Sequence, residues 1–62
     1  MKNINLDYVM VLDASSGLAK LIAVKKGLQS EEIEEIISDK YEFRLKDCDW
    51  MVVKEIDIDI LF

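Results

Sequence analysis

Cys48 is the only cysteine in a chain that has no histidine, and it stands between Asp47 and Asp49. A thiol reacts as its thiolate, and flanking carboxylates disfavour that anion. With no imidazole to serve as base, nucleophilic catalysis is not expected and Cys48 reads as a structural thiol, so that Cys48→Ser should leave function intact. The carboxylates invite a metal reading. Asp47 and Asp49 begin like a calcium loop, but position five is Met51 and no glycine follows at six. Glu55, Asp57 and Asp59 alternate along what reads as one strand face, roughly 6.8 Å apart, a spacing for separate charges rather than one coordination sphere. Lys20, Lys25 and Lys26 form a weak basic cluster without interleaved aromatics, and Gly17 and Gly27 are too isolated to build a phosphate loop. The expectation is no enzyme, no cofactor and no metal.

The elements that must position these residues follow from periodicity. Residues 4–12 alternate, with Ile4, Leu6, Tyr8, Met10 and Leu12 on one side and Asn5, Asp7, Val9 and Val11 on the other, which predicts a strand. Asp13, Ala14, Ser15, Ser16 and Gly17 supply hairpin-turn chemistry. Residues 18–26 satisfy two templates. Their Ala, Leu and Lys content favours a helix, but a lone first strand needs a neighbour and the preceding turn provides one, so a second strand is expected. Residues 30–41 predict a helix with Ser30 as N-cap, Glu31 and Glu32 in its first turn, and Ile33, Ile36, Ile37 and Tyr41 on one stripe. With that cap the third helical position is Ile33, so no capping box is expected. From Trp50 to the end the chain alternates again, Trp50, Val52, Ile56, Ile58, Ile60 and Phe62 against Met51, Val53, Glu55, Asp57, Asp59 and Leu61, and reads as a long last strand.

The expected fold is α+β, a single small β-β-α-β domain over residues 1–62. It has a three-stranded antiparallel sheet in the order 2-1-3 with one helix packed on one face. The expected core is Leu6, Tyr8, Met10, Ile22, Ile33, Ile36, Ile37, Trp50, Val52, Ile56 and Ile58, with Trp50 read as a core residue rather than an interface anchor. At 7.2 kDa a compact chain exposes roughly 4,100 Å² and buries only about 60% of its unfolded surface, enough for one core but not for a core and a deep cleft together.

Net charge is −5, from thirteen acids and eight bases. It is uneven: residues 1–27 sum to +2 and residues 28–62 to −7. An acidic chain repels phosphate backbones and anionic lipid, so direct nucleic-acid or membrane binding is not expected, and a basic protein surface is the natural electrostatic partner. No apolar run is long enough to span a bilayer, and the first residues lack the features of a signal peptide. The chain reads as a complete small open reading frame, and its one unpaired cysteine suits a reducing, cytoplasmic compartment.

Two surfaces carry the functional expectation. One helix cannot cover both faces of a sheet, so Val9, Val11, Leu21, Met51 and Val53 are expected to form an apolar outer face for protein binding. Glu31, Glu34, Glu35, Glu55, Asp57 and Asp59 are expected to form an acidic face. Together they imply a non-catalytic module, a stoichiometric regulator or inhibitor of a partner protein. The alternative is an acidic nucleic-acid mimic of the anti-restriction or anti-CRISPR type, by analogy with small phage and mobile-element products. A homodimer through the outer face is expected as well, broken by Val11→Asp or Val53→Lys without unfolding.

Overall fold

The computed structural model describes residues 5–61; the readings that fall on Ile4 and Phe62 lie outside them. Strand β1 (Leu6–Asp13) and strand β2 (Leu18–Lys25) form an antiparallel hairpin. Helix α1 (Ser30–Glu35) continues into a π-helical turn (Ile36–Lys40), and a 3-10 turn (Leu45–Asp47) leads into strand β3 (Cys48–Val53). β3 lies antiparallel to β1 on the side away from β2, so the sheet order is β2-β1-β3. This is the expected small α+β unit, and the stretch that fitted two templates is a strand.

The hairpin turn is organised by one carboxylate. Asp13 Oδ1 accepts from the Ser15 backbone N–H at 3.0 Å and from the Ser15 hydroxyl at 2.7 Å, while Oδ2 accepts from the Ser16 hydroxyl at 2.8 Å. The Gly17 N–H closes the turn on the Asp13 carbonyl at 2.8 Å, with φ of +70°, where glycine carries no Cβ penalty. A second positive φ, +90° at Gly27, reverses the chain between β2 and the helix, and the Asp7 carboxylate accepts its N–H at 3.2 Å.

The N-cap is Gln29, one residue before the expected Ser30. That shift makes Glu32 the third helical residue, and its carboxylate accepts the Gln29 backbone N–H at 2.9 Å, closing the reciprocal link that a Ser30 cap excludes. The α-helical part is short because Ser38 intervenes. Its hydroxyl donates to the Glu34 carbonyl at 2.9 Å and lies 3.4 Å from that of Glu35, competing with the helical ladder where the coil widens from α to π. The Tyr41 N–H then reaches the Ile36 carbonyl and the Phe43 N–H reaches that of Ile37. Glu42 takes the left-handed turn at φ of +59°.

The core lies between the sheet and the helix. Val9, Val11, Ile22, Val24, Ile33 and Ile37 are buried, and Leu28, Ile36, Tyr41, Phe43, Cys48 and Trp50 pack partly against them. Ile22, Ile33, Ile36, Ile37 and Trp50 stand where the sequence puts them. The face of β1 is the reverse of the expected one: Val9 and Val11 point to the helix, and Leu6, Tyr8 and Met10 lie half-buried on the opposite side. β1 is apolar on both faces, so alternation alone sets no phase. The register sets it, by placing Val9 between Ile22 and Val52, and Val11 between Lys20 and Trp50. Compact valines fit under a close helix; Tyr8 and Met10 do not need that space.

The last strand is also shorter than expected. β3 ends at Val53, the chain bends at Lys54, and residues 55–61 have no regular structure. Val52 is exposed, as are Ile56 at 46% and Ile58 at 77%, so none of the three belongs to the core. The ladder stops while β1 still has Asp7 and Leu6 to offer, because the chain turns away at Lys54; with Val53 opposite Tyr8, those two could have paired only Lys54 and Glu55.

Candidate functional site

Cys48 sits at the start of β3, directly across from Asp13. Burial pushes its thiol above the ordinary value of 9.0, and the negative charges of Asp13, Asp47 and Asp49 push it further, as does its hydrogen bond to Asp13. The sequence showed the two flanking acids; the third, Asp13, arrives only through strand pairing. Asp13 shifts the other way. The Ser15 and Ser16 hydroxyls hold its carboxyl below the ordinary 3.8, outweighing its own desolvation, with smaller help from the Ser15 N–H and the Cys48 thiol. The cluster is a turn anchor with a suppressed thiol.

Among the described residues, no three cysteine, aspartate or glutamate side chains converge as a metal site would require. Glu31 and Glu35 are exposed on the helix, whereas Glu34 is half-buried and accepts the Trp50 indole N–H. Glu55, Asp57 and Asp59 lie on the segment after β3 rather than on a strand face, so the expected acidic face is not a single rigid surface. The lysines are divided as well. Lys20 points to the helix side and sets its ammonium 5.3 Å from the Tyr41 ring centre, while Lys25 and Lys26 are exposed at the end of β2. Among the described residues no helix is long and apolar enough to cross a membrane.

The open face of the sheet is the most distinctive surface. Val9 and Val11, expected there, are fully buried against the helix. Leu21, Met51 and Val53 do lie on it, joined by Tyr8, Met10 and Leu12 from β1, whose phase is reversed. Leu12, Leu21 and Met51 are 52%, 43% and 61% exposed. No helix of the described residues lies over them. Ile56 begins to lean over one end, where Tyr8, Leu21, Val53, Lys54 and Glu55 line an open depression with it. The members missed by sequence reading are therefore Tyr8, Met10 and Leu12. Their length was a usable signal, since long flexible side chains suit a solvent-facing surface better than the tight space below a helix.

The second unexpected surface is the segment itself. Ile58, Ile60 and Leu61 are 77%, 69% and 92% exposed, and the chain as a whole exposes 5340 Å², well above the roughly 4,100 Å² of a compact chain this size. Comparison with protein-family models, with curated proteins and with solved structures finds no match to this chain.

Proposed function

We propose that this chain is a non-catalytic protein-binding module, acting stoichiometrically as a regulator or inhibitor by covering a partner protein with its open sheet face. The observation that carries this reading is the contiguous apolar surface of Tyr8, Met10, Leu12, Leu21, Met51 and Val53 on a sheet with its one helix on the other side. Exposed apolar patches on small domains mark interaction sites, and methionine and tyrosine are enriched at the centres of interfaces. A partner with an apolar patch rimmed by basic residues complements both this face and the acids of residues 55–59. A half-buried, unpaired Cys48 with a suppressed thiolate is consistent with a cytoplasmic setting. The mimic reading draws on carboxylates held at regular spacing, and Glu55, Asp57 and Asp59 lack the strand that would hold them so.

The test is capture from lysate on immobilised chain, identification by mass spectrometry, and titration of the purified pair. Leu21→Lys and Met51→Lys alter exposed side chains, so both variants should stay folded and lose a partner that binds wild type at one-to-one stoichiometry. A partner held equally well by both variants, and released by moderate salt, would replace this reading with the electrostatic one.

A further inference from the structure

We infer that residues 55–61 act as a β-strand donor that pairs with the free edge of β2 in a second copy of the chain, giving a dimer by reciprocal exchange. The inference needs two copies of this chain only and does not depend on the heterologous partner proposed above.

The donor is written in the segment. Glu55, Asp57 and Asp59 alternate with Ile56, Ile58 and Ile60, a period of two carried by β-branched residues. Yet the segment is exposed and lacks a ladder, because the chain leaves the edge of β1 at the Lys54 bend. A strand-patterned apolar segment gains most by adding to another sheet edge, where its backbone groups and side chains are paired at once.

The sheet offers two edges, and charge selects between them. β3 carries Asp49, with Lys46 and Asp47 before it and Lys54 after it, so its surroundings sum to zero and offer the three acids of the segment no net attraction. β2 carries Lys20 and Lys25, with Lys26 next to it, and pairs only with β1. With the isoleucines on the open face they meet Ala19, Leu21 and Ala23, where the small alanines flanking Leu21 leave room for branched side chains. The acids then fall on the side of Lys20, with Lys26 just past the strand end on the same side, while Lys25 shares the open face with the alanines. The −7 half of one copy meets the +2 half of the other.

Length argues for a second copy over the chain's own β2. To reach the far side of its own β2 the segment must cross three strand spacings, ~14 Å, which consumes about four of its residues and leaves too few to pair. A two-fold partner receives the segment whole and returns its own. A stable interface hides roughly 1,200–2,000 Å² in total. The surface that each copy exposes beyond a compact chain of its size is enough to supply it.

Sedimentation of the purified full chain from micromolar to sub-millimolar concentration tests the proposal, together with Ile58→Pro, Lys20→Glu, Asp57→Lys and the double variant Lys20→Glu with Asp57→Lys. These side chains lie outside the core, so each variant should keep the wild-type near-ultraviolet signal of Trp50, and those that lose the dimer should lose only the strand content that the exchange adds. Wild type should dimerise. Ile58→Pro should weaken the dimer roughly tenfold or more, because both arms lose a ladder donor. Each charge reversal should weaken it, and the double variant should recover it. Mixed isotope labelling should show contacts between residues 56–60 of one chain and 19–25 of the other by NMR. A wild type that stays monomeric, a dimer indifferent to Ile58→Pro, or contacts confined to a single chain would each overturn the exchange. The partner reading above stands or falls separately, on Met51→Lys, whose side chain lies on β3 away from the donated strand, whereas Leu21→Lys touches both surfaces.

Discussion

The indole Nε1 of Trp50 donates to Oε2 of Glu34 at 3.3 Å, linking the middle of β3 to the helix across sixteen positions of sequence. β3 is an edge strand held on one side only by β1, so this bond and the packing of the ring against the core resist its peeling away. Trp50→Phe should lower unfolding stability by the bond, about 0.5–1.5 kcal/mol, plus the packing lost with the smaller ring. Glu34→Ala should cost toward the lower end, since water can reach the half-buried indole. The two losses should not add when combined, and urea denaturation of the four proteins in the cycle reads the coupling directly.

Val11 and Val53 are expected to answer the same kind of substitution in opposite ways. Val11 is fully buried between the sheet and the helix, and a carboxylate there has no partner and several kcal/mol of desolvation to overcome. A domain of this length is stable by only about 3–9 kcal/mol. Val11→Asp should therefore unfold the chain rather than release a dimer. Val53, half-buried on the open face, should accept lysine with native circular dichroism retained.

The contrast between those two valines shows how far the sequence is legible. The turn at Asp13, the helix stripe of Ile33, Ile36, Ile37 and Tyr41, the antiparallel order and the placement of Leu21, Met51 and Val53 on one face follow from local chemistry and period. The phase of β1 does not, because both of its faces are apolar and only the register with Ile22, Lys20, Trp50 and Val52 distinguishes them. Nor does the end of β3: Ile56, Ile58 and Ile60 keep a strand's alternation, yet the chain bends at Lys54 and leaves the ladder before β1 ends. Sequence period reports what a segment is suited to pair with. Whether a partner strand is within reach is a property of the fold.

Asp13 makes stability depend on pH. Its folded carboxyl titrates below 3.8 because Ser15 and Ser16 bind the ionised form. A group with a depressed folded value contributes stability that is complete above its unfolded value and lost as pH falls through the folded one. The advantage of wild type over Asp13→Asn, measured as urea midpoint, should be full at about pH 5 and shrink toward about pH 2. A difference that is constant over that range would place the anchoring in the turn's backbone instead.

Gly27 isolates a backbone effect from a steric one. A Cβ there meets nothing within 4 Å, yet φ is +90°, a conformation costly to any other L-residue. Gly27→Ala should destabilise by about 1–2 kcal/mol through the backbone alone, and Gly27→Asn by less, since asparagine tolerates positive φ better. Thermal melts of the three proteins order them as glycine, asparagine, alanine.

Cys48 should alkylate slowly, and the cause can be assigned by substitution. Burial is the leading reason its thiol is raised, and Asp13 is the next, through its charge and again through the hydrogen bond. The thiolate is the reacting species, so the rate with iodoacetamide below the thiol's pKa follows the fraction ionised. In folded protein at mildly alkaline pH, Asp13→Asn removes the charge opposite Cys48 while keeping a side chain of similar shape, and the rate should rise several-fold. Asp49→Asn removes the weakest of the contributions and should change it little. In denaturant, burial and strand pairing vanish together, and wild type and Asp13→Asn should then react at the same rate. If the two already react alike in folded protein, the suppression lies in burial and in the neighbouring Asp47 and Asp49, and not in the charge that the pairing of β1 with β3 brings opposite Cys48.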